Sequence, residues 1–143
     1  MDTLPSAREI NPIPECLDGR YAEEHFLGKD LDGAVTLFAD NFLRYQEDLM
    51  FMGPVAFNFY IRAAIDYAES DEARFDCDIA STVVSLLDHK WHHDAGYVAD
   101  LRELFLGYAE RLIERMGSMD FQSDMDRRLE RKVERLIARI DNT

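Results

Sequence analysis

The chain has 143 residues, of which 47% are hydrophobic and 31% are charged. That composition suits one globular domain and is too apolar for a disordered chain. The net charge of −13 disfavours binding to nucleic acids and anionic membranes, and it favours basic partners or cations. We therefore predict a single domain over residues 1–143 that binds neither nucleic acid nor membrane, although the charge also serves solubility.

Residues 1–18 hold three of the four prolines, and a proline disfavours helix at the residue before it. This part is predicted to be an extended leader that packs on the body through Ile10, Ile13 and Leu17. It lacks the basic and apolar regions of a secretory signal. No later run in the sequence is long and apolar enough to cross a membrane.

The two cysteines, Cys16 and Cys77, form neither a C-x-x-C pair nor a spacing typical of metal ligands. Such cysteine usage fits a reduced intracellular protein. Together with the lack of a secretory signal, it predicts a cytoplasmic location.

Two helices are predicted in the first third of the chain. A short one lies around Arg20–Phe26, and Gly28 interrupts the chain after it. A longer one covers about 31–47, with Asp30 or Asp32 as its N-cap. Its apolar residues recur at helical spacing: Ala34, Val35, Leu37, Phe38, Phe42, Leu43 and Tyr45.

An aromatic helix is predicted over residues 54–69. Pro54 suits a first helical turn, where its missing N–H would have no partner, and Gly53 eases the entry of the chain. Apolar residues then recur at spacings of three and four: Phe57, Tyr60, Ile61, Ala64, Ile65 and Ala68. This pattern indicates that the helix organises the core.

Two further helical patterns follow in the second half of the chain. The first has Asp76 or Asp78 as its cap, and its Thr-Val-Val run also has strand character. We predict helix there because its neighbours are helical. The second has apolar residues from Val98 to Ile113 that form an amphipathic stripe, and this helix is predicted to end near Gly117.

The last helix is predicted over residues 124–141, where Ser123 and Asp126 resemble a capping box. Apolar residues then follow at heptad-like spacing: Met125, Leu129, Val133, Leu136 and Ile140. The fold class is therefore predicted to be all-α, a single helical domain of about five helices, either bundle-like or orthogonal.

The C-terminal segment also differs from the rest of the chain in charge. Residues 1–123 carry 24 acidic and 10 basic residues, whereas residues 124–143 carry 5 and 6. Arg128, Arg131 and Arg135 surround the apolar seam and are candidate partner contacts. The helix would dock on the acidic body of its own chain or on a second copy, so the protein is predicted to be a monomer or a homodimer.

One cluster has the composition of a metal site. His89 and His93 are spaced by four residues, which places them on one helix face, and His92 adds a third imidazole. Asp88 or Asp94 could supply a carboxylate ligand for zinc or another divalent metal. The alternative is that these basic side chains stabilise a helix C-terminus through its dipole and its free carbonyls.

Two other features have both a functional and a structural interpretation. Trp91, the only tryptophan, is either a partner contact or a plug at the edge of the core. Four carboxylates flank the aromatic helix and are either an acid–base pair or a solvated acidic face: Glu47, Asp48, Asp66 and Glu69. No nucleophile or phosphate loop accompanies them in the sequence, so the solvated face is favoured.

Residues 49–65 resemble a central motif of an uncharacterised bacterial family of small helical proteins, a domain of unknown function. In that motif a phenylalanine-leucine pair, a proline and a phenylalanine-tyrosine-tyrosine-leucine pattern lead into an alanine-rich helix. The resemblance covers seventeen of the 143 residues, and Arg62 stands where the motif tends to have a proline. It implies a helical fold and assigns no catalytic residues.

These patterns predict a non-catalytic binding or regulatory protein, of the immunity or inhibitor type, that recognises a basic protein partner without a cofactor. The acidic body without a catalytic motif motivates this interpretation. The alternative is a metal-binding protein or metal-dependent hydrolase that uses His89, His92 and His93.

Overall fold

The computed structural model describes residues 3–117 and 124–142. All regular structure in those two ranges is helical, which confirms the all-α prediction. The α-helices are α1 (Ala7–Ile10), α2 (Leu17–Phe26), α3 (Leu31–Asp40), α4 (Phe42–Tyr45), α5 (Pro54–Ala68), α6 (Cys77–His93), α7 (Ala95–Val98), α8 (Arg102–Gly117) and α9 (Asp124–Asp141), and two 3₁₀ segments cover Gln46–Phe51 and Ala99–Leu101. The helical segments outnumber the predicted five or so, because two predicted helices are interrupted and α1 forms within the leader.

The chain divides into two compact units, residues 1–73 and residues 74–143. We call them the N-terminal unit and the C-terminal unit. The sequence predicts one domain over the same residues. Each unit has its own buried apolar residues and is described by itself below.

The leader is not extended throughout, because α1 forms within it. Ser6 and Glu9 build a capping box: the Ser6 hydroxyl accepts from the Glu9 N–H at 3.2 Å, and the Glu9 carboxylate accepts from the Ser6 N–H at 2.8 Å. Ile10 is fully buried as predicted. Ile13 and Leu17 are 62% and 60% exposed, so the prediction that they pack on the body is wrong.

The predicted helix over residues 31–47 is broken at Asn41. Its backbone leaves the helical region there (φ −160°, ψ 85°), and its side chain accepts from the Arg44 N–H at 3.2 Å, which starts α4. Sequence periodicity does not reveal this break, since the apolar spacing continues across it. Of the two predicted caps for α3, Asp30 is the one used, and it accepts from the Gly33 N–H at 2.7 Å.

The aromatic helix α5 begins at Pro54, as predicted. Gly53 has an ordinary φ of −70°, so conformational freedom does not explain the glycine. The reason is a close approach: the Gly53 N–H donates to the Glu9 carbonyl at 3.0 Å, and a Cβ on Gly53 would also lie 3.0 Å from that oxygen. This bond ties the leader to the start of α5.

Aromatic rings fill the core of the N-terminal unit. Phe26 contacts Phe38 and Tyr60, with ring centroids 5.6 and 4.9 Å apart. The Tyr60 hydroxyl lies 2.9 Å from the Phe26 carbonyl and 2.8 Å from the Lys29 carbonyl. Carbonyls at a helix end lack intrahelical partners, and Tyr60 of α5 provides a donor for the end of α2.

The C-terminal unit is built from longer helices. Asp76 caps α6, accepting from the Asp78 and Ile79 N–H groups at 2.9 and 3.1 Å, which confirms one of the two predicted caps. Helix α9 packs against α6 and α8. The seam residues of α9 are buried as the heptad-like spacing predicts: Leu129, Val133, Leu136 and Ile140.

Two other predictions for this unit have different outcomes. The stripe from Val98 to Ile113 is not one helix, because α7 and a 3₁₀ turn precede α8. The predicted capping box at Ser123 and Asp126, and the side chain of Met125, lie outside the described part of the structure.

Candidate functional site

A groove on the N-terminal unit is the strongest candidate site. It encloses about 250 Å³ and is lined by Asp18, Tyr21, His25, Arg44, Glu47, Asp48 and Phe51. We call it the α2 groove. Helix α2 contributes residues at spacings of three and four, which places them on one face. The remaining lining comes from α4 and the 3₁₀ segment after it.

His25 and Asp48 form the polar centre of this groove. The His25 Nδ1 lies 2.6 Å from the Asp48 Oδ2, and Asp48 is only 8% exposed. An ionised carboxylate only accepts hydrogen bonds, so Nδ1 carries the proton and donates it. Burial raises the pKa of the Asp48 carboxyl above 3.8, while the hydrogen bond and the charge of His25 oppose that rise.

Aromatic rings hold His25 in place. The Tyr21 ring stacks on the imidazole with centroids 6.2 Å apart, and Tyr45 meets it edge-on at 4.9 Å. Arg44 precedes Tyr45 on α4, and its guanidinium carbon lies 5.2 Å from the centroid of the Tyr45 ring. The groove therefore combines carboxylates with aromatic faces, and both groups attract cations.

Only part of this site is visible in the sequence. The sequence groups Glu47 and Asp48 with Asp66 and Glu69 around the aromatic helix, whereas the structure pairs Asp48 with His25. The 23 residues between the two partners hide the pair in the sequence. The spacing of Asp18, Tyr21 and His25 on one face of α2 was the available local signal.

The predicted metal cluster lies at the end of α6. His89 and His93 have ring centroids 4.4 Å apart, and His92 and His93 are 4.6 Å apart. All three are exposed. Across residues 3–117 and 124–142, no group of three or more His, Cys, Asp or Glu side chains is arranged to hold a metal ion.

The carboxylates suggested as further metal ligands have cationic partners instead. Asp94 lies 3.4 Å from the Nζ of the buried Lys90, and Asp88 lies 3.0 Å from the Nε of Arg139. The basic residues at this helix end match the alternative interpretation, in which they stabilise a helix C-terminus.

Trp91 is at the edge of the core. It is 6% exposed, and its ring centroid lies 6.0 Å from that of Phe105. This placement fits the structural interpretation of the tryptophan and gives a partner little of its surface to contact.

The candidate contact residues Arg128, Arg131 and Arg135 are exposed on α9. Arg128 lines a second cavity of about 250 Å³ together with Ser81 and Lys132. The Lys132 Nζ donates to the Ser81 carbonyl at 3.1 Å, to the Ser81 hydroxyl at 2.9 Å and to the Ser85 hydroxyl. Three bonds use all three ammonium protons, so Lys132 acts as a clamp between α9 and α6.

No protein-family model matches this chain, and neither a curated protein nor a solved structure is significantly similar to it. Within the described ranges, no helix has both the length and the apolar character needed to span a membrane. The indications of function are therefore the charge of the chain and the geometry of the α2 groove.

Proposed function

We propose that this is a non-catalytic binding or regulatory protein, of the inhibitor or immunity type, that recognises a basic protein through its N-terminal unit. The observation that carries the proposal is the division of charge. Residues 1–73 hold 15 acidic and 5 basic residues, a net charge of −10, whereas residues 74–143 hold 14 and 11, a net charge of −3. An acidic surface attracts basic partners and increases their association rate.

The exposed apolar residues also support the proposal that the partner binds the N-terminal unit. Among the side chains that the structure describes, the large apolar ones that are well exposed fall mostly in the N-terminal unit: Ile13, Leu17, Tyr21, Leu27, Leu43, Phe51 and Val55, against Phe75 in the C-terminal unit. Protein interfaces combine apolar contact with a charged rim, and aromatic residues are enriched in them. We also propose a cytoplasmic location, and a monomer or homodimer as the unbound state.

Affinity capture with the intact chain tests this proposal. We expect a basic partner whose measured dissociation constant rises between low and physiological salt, because exposed charges are screened. Replacing two exposed acids of the N-terminal unit (Glu15→Gln with Glu24→Gln) should weaken binding by about two- to fivefold. The matched pair in the C-terminal unit (Glu110→Gln with Glu134→Gln) should change it less. A partner that is not basic, or a dissociation constant that does not change with salt concentration, would refute the proposal.

Zinc analysis addresses the metal-binding alternative directly. The measurement uses protein purified without a histidine tag, with His93→Ala as the comparison. One zinc per chain that His93→Ala removes would favour the metal site, because a site with three protein ligands retains its zinc. We expect no such zinc, since Asp88 and Asp94 have cationic partners.

A further inference from the structure

We propose that the α2 groove receives the side chain of a lysine from the basic partner. This inference rests on the proposed function and adds to it the place and the chemistry of the main contact. Three observations carry it: the charge of the lining, the two aromatic residues exposed at the groove, and the engagement of one Asp48 oxygen by His25.

The lining of the groove is acidic and partly shielded from water. Asp18, Glu47 and Asp48 share the lining with one arginine, Arg44, and with His25, whose Nδ1 already bonds to Asp48. Asp48 is 8% exposed, and an ion pair is stronger where less water screens it. The burial that raises the pKa of Asp48 is a cost of holding this carboxylate away from water, and a bound ammonium would offset that cost.

Aromatic side chains at the groove supply a second attraction for a cation. Tyr21 is 47% exposed and Phe51 is 40% exposed, and both line the cavity. A cation within about 6 Å of a ring centroid is attracted by the ring. The guanidinium of Arg44, which lies 5.2 Å from the Tyr45 centroid, already makes this type of contact beside the groove.

The groove geometry favours lysine over arginine. Arginine binds a carboxylate best through two parallel hydrogen bonds, which need both oxygens. His25 already occupies Oδ2 of Asp48, so the buried carboxylate offers a new partner one oxygen. A compact ammonium, with three donors, can bond single oxygens of separate carboxylates.

The size of the cavity favours a side chain over a larger ligand. Sites for small molecules and cofactors usually enclose about 300–1,000 Å³. The α2 groove encloses about 250 Å³. It therefore suits one extended side chain presented by a protein.

The test measures binding of a pentalysine peptide to the intact chain at low ionic strength, by titration followed by NMR. We expect amide shifts concentrated at Tyr21, His25, Glu47 and Phe51. Pentaarginine should bind more weakly, and pentalysine acetylated on every side chain should cause no shifts. Spermidine distinguishes a small polyamine from a protein side chain, and it should bind more weakly than pentalysine.

Variants distinguish binding in the groove from general attraction to the acidic surface. Glu47→Gln and Tyr21→Ala should each raise the dissociation constant for pentalysine by about two- to fivefold, and Tyr21→Phe should restore it. Asp40→Asn removes the same charge as Glu47→Gln from an exposed position at the end of α3, and it should change the constant less than about twofold.

The outcomes distinguish this inference from the proposed function. If Asp40→Asn weakens binding as much as Glu47→Gln, or if pentaarginine or spermidine binds more tightly than pentalysine, the lysine site is refuted. A salt-sensitive basic partner would still support the proposed function in that case. If Glu47→Gln and Tyr21→Ala weaken binding and Asp40→Asn does not, the groove is the lysine site.

Discussion

The N-terminal and C-terminal units hold their helices together by different means. In the N-terminal unit α1 to α4 have ten residues or fewer, although α5 has 15. Buried aromatic rings join these helices, and the Tyr60 hydroxyl lies against the carbonyls of Phe26 and Lys29, at and just after the end of α2. In the C-terminal unit the helices are longer, and α9 adds an apolar seam together with bonds from Lys132 and Arg139.

The two units also differ in how many of their acidic groups are neutralised by cations of the same unit. The C-terminal unit uses several of its cations on its own acidic or polar groups, as Lys90 with Asp94 and Arg139 with Asp88 show. The N-terminal unit has 5 basic residues for 15 acidic ones. Its surface therefore stays acidic, which supports the proposal that this unit recognises the partner.

The largest expected effect tests the two cores. Phe57→Ala should lower the free energy of unfolding by about 3–5 kcal/mol, because Phe57 is fully buried in the core of the N-terminal unit. Leu87→Ala, at a fully buried aliphatic position of α6, should cost about 2–5 kcal/mol. Urea denaturation of both variants measures the difference. A loss below about 1 kcal/mol for Phe57→Ala would contradict the view that the aromatic core is tightly packed.

The next effect isolates the tyrosine that joins α5 to α2. Tyr60→Phe removes the donor at the Phe26 and Lys29 carbonyls, so we expect a loss of about 1–3 kcal/mol. Tyr21→Phe, at an exposed ring, is the control and should stay within about 0.5 kcal/mol of the wild type. If both variants lost the same free energy of unfolding, the Tyr60 hydroxyl would not stabilise the contact between α5 and α2.

The same tyrosine gives a dependence on pH. Burial, with a smaller contribution from the charge of Asp30, raises the pKa of Tyr60 from 10.0 to about 12. Between these values the folded state holds a proton that the unfolded state has lost, so its contribution to stability is complete below pH 10 and declines as the pH rises through 12. We expect this decline in the wild type and a smaller one in Tyr60→Phe, measured by urea denaturation at alkaline pH.

The smallest effect concerns the clamp of the C-terminal unit. Lys132→Met keeps an apolar stem but loses the bonds to Ser81 and Ser85, and it should cost about 1 kcal/mol. Burial lowers the pKa of Lys132, which limits the benefit of its charge. Arg128→Met is the exposed control and should be nearly neutral. A neutral Lys132→Met would show that the seam alone holds α9.

Local patterns predicted a large part of this fold. The start of α5 at Pro54, the cap at Asp76 and the buried face of α9 each depend on residues close in sequence. The break at Asn41 was missed because an asparagine at one position does not change the apolar spacing around it. The resemblance of residues 49–65 to a family motif stays a prediction.

The candidate site was harder to predict for a physical reason. His89, His92 and His93 attract attention because they are adjacent in the sequence, yet helix ends favour basic residues in any case. His25 and Asp48 lie on separate elements and meet only when the chain folds. A pair of this kind leaves no periodic signal, so sequence patterns indicate its parts and not their contact.

The bond between the Gly53 N–H and the Glu9 carbonyl has a consequence for the α2 groove. Every residue that lines the groove falls between these two positions in the chain. The bond therefore joins the two ends of the largely helical segment that carries the groove. Any side chain at position 53 would press on the Glu9 carbonyl and loosen that fastening. A substitution at position 53, which does not itself line the groove, would then lower affinity, because binding would have to order a segment that is freer in the unbound protein.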